Sequence, residues 1–420
     1  YVLMADEAGG VVEDASVAVT DGHITSVGDP VPAREVLDAA GCLILPGLVN
    51  LHTHLPMTLL RGVAEDVDLQ GFLERVWAEE ARIMDADGVY AGARLGALEC
   101  LLSGTTTALD MYFHPAAGHR GAVEVGLRHI TGPVFLSFPG PDGMEWAERM
   151  REAARWPATL AEIGGPHVPP ALMPHAAFTV GIDHLREVAE LAKAQGAMIT
   201  THASENDREN ADTVAATGCR PIAALDSAGV VALGPVLAHG VRLQGGELQR
   251  LAETGASIAH CPGSNLKLAS GAADLVGYRA EGIRVGLGTD GCSSSNDLDM
   301  FAVMRLTANL ARLVSGDPAA ISARDVVACA TLEGARAVGL ADRIGTVEVG
   351  KEADLIVVNV TAPHLVPMHD PYTSVVFSAG RADVRDVLVD GEVVVRGRRP
   401  TRIDVDEVLA AATVVVGKRT

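Results

Sequence analysis

Eight short runs rich in Val, Ile, Leu and Ala recur through the middle of the chain, and nearly every one ends in a histidine or an aspartate. They are CLILPGLVNLHTH (42–54), TTTALDMYF (105–113), LRHITGPVFLSF (127–138), PPALMPHAAF (169–178), AMITTHAS (197–204), PVLAHG (235–240), ASIAHCPG (256–263) and IRVGLGTDG (283–291). Runs this apolar read as buried parallel strands. The longer Ala/Leu/Arg/Glu stretches between them, such as 87–102, 182–195, 245–253 and 297–313, have the helical period expected of crossovers. Eight strand-helix units are the number that closes a barrel, and no linker rich in Pro, Gly or Ser divides the region. The spacing therefore predicts an α/β fold, a (β/α)8 TIM-type barrel over residues 47–344.

Both ends read differently. SVAVTDGHITSV and VRDVLVDGEVVV each place an Asp-Gly pair, Asp21-Gly22 and Asp390-Gly391, between alternating apolar residues, which is a strong hairpin signal. Residues 1–46 and 345–420 are expected to meet in a small β-sandwich domain beside the barrel. A chain of 420 residues has room for both.

Composition excludes several classes of function. Acidic residues number 54 against 33 basic ones, a formal charge of -21, and no local basic cluster offsets it, so nucleic acid and anionic membranes are poor partners. No apolar run reaches the roughly 18 residues of a membrane span, and Tyr1 to Thr20 lacks a basic-then-apolar leader. The expectation is a cytoplasmic protein whose partner is a small molecule, with a homo-oligomer left open. The six cysteines form no CxxC pair, which argues against a zinc ribbon and against a disulfide framework.

In a barrel of this type the C-terminal ends of the strands face the active site, so polar strand ends converge there. His52 and His54 are one residue apart on a strand and point to the same face. Alone, they have a pair of core histidines as their alternative. With His202 ending the fifth run and Asp290 ending the eighth, they complete a set of three imidazoles and one carboxylate, which suits one divalent metal, zinc first and iron or manganese next. Glu205 follows His202 by three residues, where a carboxylate could shuttle protons between water and a substrate nitrogen. His239, ending the sixth run, would reach the same water; a structural histidine is its alternative.

These residues sit in segments that resemble the amidohydrolase superfamily: LVNLHTHLPMTLLRGVAED, LDMYFH, MPHAAF, THASEN, LAHGV, AHCPGSNLKL and GTDGCSSSND. Within it the likeness is to the methylthioadenosine/S-adenosylhomocysteine deaminase branch, near the triazine chlorohydrolases, and it extends to GTVEVGKEADLIVV near Gly345. The resemblance implies His52, His54, His202 and Asp290 as metal ligands, Glu205 as proton shuttle and His239 as partner of the hydrolytic water, with Asp290 also aligning that water. It implies three substrate contacts: Glu80 (or its neighbour Glu79) on a ribose diol, His175 on the sugar side, and Ser294 near the heterocycle. Members with two metals usually bridge them with a lysine ending the fourth strand; PPALMPHAAF has none, so a single metal is expected.

One departure bears on substrate. Members that accept S-adenosylhomocysteine hold its carboxylate with arginines on and after the third strand, whereas here Pro133 and Met144 or Glu145 stand near those places. Arg128 and Arg149 are close but out of register. The sequence therefore predicts a metal-dependent hydrolytic deaminase of an aminated purine nucleoside, such as methylthioadenosine or adenosine. A triazine-like hydrolase or a deaminase of another N-heterocycle is the rival enzyme. A catalytically inactive barrel kept for binding or assembly is the rival of another class, although it would be expected to have lost ligands and none is missing.

Overall fold

A computed structural model of the chain describes residues 1–417. Its centre is a ring of parallel strands with helices between them. Leu48–Thr53, Thr105–Asp110 and Arg128–Ile130 pair in parallel, and so do Val134–Phe135, Ala171–Pro174, Met198–Ala203, Val236–His239, Ser257–His260 and Arg284–Leu287. The ring closes where the Asp290 amide donates to the His52 carbonyl at 3.0 Å and the Thr289 amide to Asn50 Oδ1 at 3.1 Å. Gly288 permits this approach, because a Cβ there would stand 2.9 Å from the His52 carbonyl oxygen and from Cys261 Sγ. Leu51, Leu109, Ile130, Met173, Val236 and Ala259, from six different strands, share one buried cluster.

Two of the eight apolar runs are each split in the structure. The first breaks at Gly47, where any Cβ would collide with Thr106: Cys42–Pro46 joins the terminal sheet and Leu48–Thr53 enters the barrel. The third breaks at Gly132-Pro133, since proline has no amide for the ladder; Arg128–Ile130 pairs with Thr105–Asp110, and Val134–Phe135 with Ala171–Pro174. Helix Ile182–Gln195 has the expected bounds. The helix read at 297–313 instead runs Met300–Ser315, because the Asp299 side chain caps it by accepting from the Phe301 and Ala302 amides.

The two ends of the chain do meet. One seven-stranded sheet is ordered Arg399–Pro400, Glu392–Arg396, Val384–Val389, Leu355–Asn359, Cys42–Pro46, Val2–Leu3, Val11–Val12, and a separate hairpin pairs Ser16–Thr20 with His23–Gly28. At both Asp-Gly turns the two central residues have positive φ, 49° and 82° at Asp21-Gly22, 51° and 77° at Asp390-Gly391, as the tightest hairpins require. The last described segment departs from the all-β expectation. Val405–Gly417 is a helix that packs on the barrel helix Ala86–Leu102, with Ala412 and Val415 buried. Barrel and sheet are pinned together by Arg128, fully buried, whose guanidinium donates to Asp354 (2.9 and 3.1 Å), Glu352 (2.6 Å) and the His167 carbonyl (2.8 Å). Among the described residues no helix is long and apolar enough to cross a membrane.

Candidate active site

Seven strand ends and the loops after them converge on one cavity, to which they bring His54, Met111, Val134, His175, His202, His239 and Asp290. At its floor, His52 Nε2 and His54 Nε2 lie 3.4 and 3.2 Å from Asp290 Oδ1. The His202 and His239 rings pack within 4.9 and 5.5 Å of His52, centroid to centroid. Two overlapping groups could each grip one ion, His52/His54/Asp290 and His52/His202/His239, with their donor atoms within 4.8 Å of one another. His239 therefore shares one of these groups with two of the three histidines singled out for metal binding, His52 and His202.

The tautomers are set from behind. Nδ1 of His54 lies 2.6 Å from the Met111 carbonyl, Nδ1 of His202 2.8 Å from the His175 carbonyl, and Nδ1 of His239 2.9 Å from Asn265 Oδ1. Each Nδ1 thus carries the proton and each Nε2 faces inward; at His54, against the effect of burial, the neighbouring Asp290 carboxylate raises the imidazole to about 9, and a cation bound between the two would take the place of the Nε2 proton. Both ring nitrogens of His52 are buried without any hydrogen-bond partner, an expensive arrangement unless something else binds them. Burial lowers the His52 imidazole to about 4 and the His202 imidazole well below its usual range, so both are neutral ligands at physiological pH. Neutral imidazoles facing a carboxylate are a donor set that fits a divalent cation.

The backbone is strained where the chemistry gathers. Ser204, His239 and Asp290 have φ of 53°, 73° and 61°, the left-handed region that non-glycine residues rarely occupy, and such strain clusters at functional sites. Glu205 is buried beside the cluster, its Oε2 3.6 Å from His239 Nε2, and burial raises its carboxyl above the usual range.

The helix Leu69–Ile83 forms the opposite wall. Its buried residues, Leu69, Phe72, Val76, Glu80 and Ile83, follow the helical period, so Glu80 occupies a position on the apolar stripe. Glu79 points away and pairs with Arg82. The Tyr112 hydroxyl donates to Glu80 Oε1 at 2.6 Å, while Oε2 has no partner; burial pushes this carboxyl up to about 7. His175 lines the cavity against Trp77, its ring near Thr179.

Ser294 is placed differently from the reading above. It lies behind the cavity, not in its wall: one turn past Asp290, its buried hydroxyl donates to Asp290 Oδ2 at 2.6 Å, which orients that carboxylate. Asp110 also stays out of the cluster, accepting from the Leu55 amide at 2.8 Å and lying 2.9 Å from His129 Nε2. Glu209 and Asn265 were not singled out. Glu209 lines the cavity next to Glu205, and Asn265 holds His239; the helix-capping spacing Asn206 to Glu209 was the available signal for the first.

The remaining wall is apolar and aromatic, including Phe72, Trp77, Phe113 and Phe178, and among the described residues no lysine or arginine lines it. Arg149 is buried and locked to Asp142 at 2.6 and 2.8 Å, and Arg128 is held at the terminal sheet.

The sequence pattern of the amidohydrolase family matches residues 43–394. The chain belongs to this family. A 5-methylthioadenosine/S-adenosylhomocysteine deaminase of Halobacterium salinarum is 40% identical over 407 residues, which cover 94% of this chain and 94% of that one. A 5'-deoxyadenosine deaminase of Methanothermobacter thermautotrophicus is 38% identical over 394 residues, covering 93% and 91% of the two chains. Among solved structures, an adenosine deaminase from Xanthomonas campestris with bound zinc superposes with a TM-score of 0.93 at 36% identity, covering 100% of this chain and 96% of that one.

Proposed function

We propose that this amidohydrolase is a hydrolytic deaminase of aminated purine nucleosides such as methylthioadenosine, 5'-deoxyadenosine or adenosine, releasing ammonia. The observation that supports this most is the meeting of two histidine-rich groups that share His52, His52/His54/Asp290 and His52/His202/His239, with the Glu205–His239 pair at 3.6 Å, opposite a buried carboxylate, Glu80, with a free oxygen. The relatives named for adenosine-type nucleosides support the substrate class.

His52, His54, His202 and Asp290 would hold one divalent cation, zinc by preference, and the absence of a lysine at the end of Ala171–Pro174 favours a single ion. When bound, the cation supplies a Lewis acid that brings the pKa of water toward roughly 7. His239, held by Asn265, and Asp290, held by Ser294, orient the attacking water. Glu205 takes a proton from that water and delivers it to the ring nitrogen beside the amine-bearing carbon. The water oxygen bonds to that carbon, which becomes tetrahedral; the carboxylate then takes the remaining proton of the new hydroxyl and gives it to the amine, so the C–N bond breaks, ammonia leaves and the carbon becomes a carbonyl. Burial suits Glu205 to this work, because it raises the carboxyl above the usual range and so favours holding the proton between the two transfers. Glu80 Oε2 accepts from the ribose diol, and the His175 ring bounds the sugar side.

Among the described residues no lysine or arginine lines the apolar wall to meet a carboxylate, which favours uncharged 5' substituents over an amino-acid tail. We read the chain as a barrel over 47–344, flanked by 1–46 and 345–420, with the terminal sheet and the Ser16–Gly28 hairpin as layers of a small β-sandwich. Ammonia release measured across methylthioadenosine, 5'-deoxyadenosine, adenosine, guanine and an aminated triazine tests the proposal. Turnover confined to the adenosine derivatives is expected, and turnover confined to the free bases or the triazine would overturn it.

A further inference from the structure

Glu209 occupies the cavity wall, yet the reaction outlined above gives it nothing to do. It belongs to the first turn of helix Asp207–Thr217, whose N-cap is Asn206: the Asn206 side chain accepts from the Glu209 amide at 2.7 Å. In a reciprocal cap the glutamate at this position would return the bond to the cap residue's own amide. Here it reaches one residue farther back, and Glu209 Oε2 accepts from the amide of Glu205 at 2.8 Å.

That bond lands on the residue that carries the proton. The turn around it is otherwise unusual, with Ser204 at φ 53° and its carbonyl accepting from the Arg242 amide at 2.8 Å. The Ser204–Glu205 peptide is thus pinned at both ends, its carbonyl by the Arg242 amide and its N–H by Glu209. The device is costly: Glu209 is 2% exposed and its Oε1 is buried with no hydrogen-bond partner. Burial pushes this carboxyl up to about 8 despite the two backbone amides, of Glu205 and Ser204, that face it. A group kept under those conditions on the backbone of the acid-base residue has a reason to be there beyond capping a helix whose cap, Asn206, is already satisfied.

We propose that Glu209 is a positioning residue for the deamination: by fixing the Glu205 main chain it sets the Glu205 carboxyl in its place 3.6 Å from His239. The proposal rests on Glu205 being the proton carrier. Displacements of about 1 Å at a reacting group cost on the order of 100-fold in rate, so the effect should be read in kcat.

The test is a cycle on the zinc-loaded protein with methylthioadenosine: Glu209→Ala, Glu209→Gln, Glu205→Gln, and Glu209→Ala combined with Glu205→Gln, each with kcat, KM and bound zinc measured. Glu209→Ala is expected to lower kcat about 10- to 100-fold with KM within about threefold and bound zinc unchanged. Glu209→Gln, whose amide oxygen can still accept from the Glu205 amide, should restore kcat to within about fivefold of the parent. Added to Glu205→Gln, the alanine should cost less than about twofold more, because the group it positions is already gone. Should Glu209→Ala fail to fold, Glu209→Asp, whose arm is one methylene too short to reach, takes its place in the cycle. An alanine or aspartate variant with kcat within about twofold of the parent, a glutamine variant as slow as the alanine, or an undiminished loss in the Glu205→Gln background would each overturn the positioning role. Glu205→Gln is the separate control: if it alone retains more than about a tenth of the rate, the underlying assignment of the proton carrier fails, whatever Glu209 does.

Discussion

Replacing Glu80 isolates what the cavity does with the sugar. The Tyr112 hydroxyl occupies Oε1 at 2.6 Å, and Oε2 is buried and unpartnered, so one carboxylate oxygen is available to a ribose diol. Hydrogen bonds to a charged acceptor contribute about 1.5–3 kcal/mol, which corresponds to roughly 10- to 150-fold. Glu80→Ala should therefore lower kcat/KM for methylthioadenosine by about that factor. The same variant should change kcat/KM for the 2',3'-dideoxy analogue by less than about threefold, because that substrate has no diol to lose. Burial raises the Glu80 carboxyl to about 7, and the ionised form, which is the stronger acceptor, prevails above that value. KM of the parent protein for diol-bearing substrates should accordingly fall as pH rises through about 7, and this dependence should be absent for the dideoxy analogue. The assay is continuous loss of adenine absorbance over a pH series with both substrates. Equal losses on the two substrates would refute the reasoning, since they would make Glu80 a structural carboxylate and not a diol acceptor.

Three further outcomes follow from the same geometry. Glu205→Gln should retain bound metal and lose about 100- to 10,000-fold in kcat; retention of more than about a tenth of the parent rate would remove Glu205 from its role. Methylthioadenosine should exceed S-adenosylhomocysteine in kcat/KM by about tenfold for each 1.4 kcal/mol of unpaired-charge cost, because no lysine or arginine among the described residues lines the cavity; equal values would mean that a cation reaches it. Arg128→Met leaves the buried carboxylates of Glu352 and Asp354 without their shared partner and should lower unfolding free energy in urea by about 3–5 kcal/mol with no direct effect on KM; a loss under about 1 kcal/mol would contradict the pinning of barrel to sheet.

Much of this was legible in the sequence because each feature has a local cause. Parallel strands buried on both faces must be apolar throughout, so the runs stand out, and the polar residues that end them mark the one rim where side chains converge. Two Asp-Gly pairs announced turns whose positive φ values only such residues adopt easily. The spacing of His52 and His54 placed both on one face, and the structure has both beside Asp290. What escaped the sequence depends on contacts between distant segments. Ser294 sits four residues after Asp290 in a tight turn, so its hydroxyl meets that carboxylate before it can meet a ligand, and no local pattern reveals it. Asn265 reaches His239 across 26 residues, a pairing set by the adjacency of strands Val236–His239 and Ser257–His260. The helix Val405–Gly417 is set by its packing on Ala86–Leu102, and the strand break, though Pro133 signals it locally, shows in the different partners of its two halves. The choice between Glu79 and Glu80, by contrast, lay in the helical period of Leu69, Phe72, Val76 and Ile83, which the gapped resemblance obscured.

The most direct test of a single-ion nucleoside deaminase is a titration of chelator-stripped protein with zinc, following ammonia released from methylthioadenosine. The proposed ligation of a single ion by His52, His54, His202 and Asp290 predicts negligible release from the stripped protein and a linear rise that saturates at one zinc per chain. Saturation at two zinc ions per chain, or ammonia release from the stripped protein at the full rate, would contradict it.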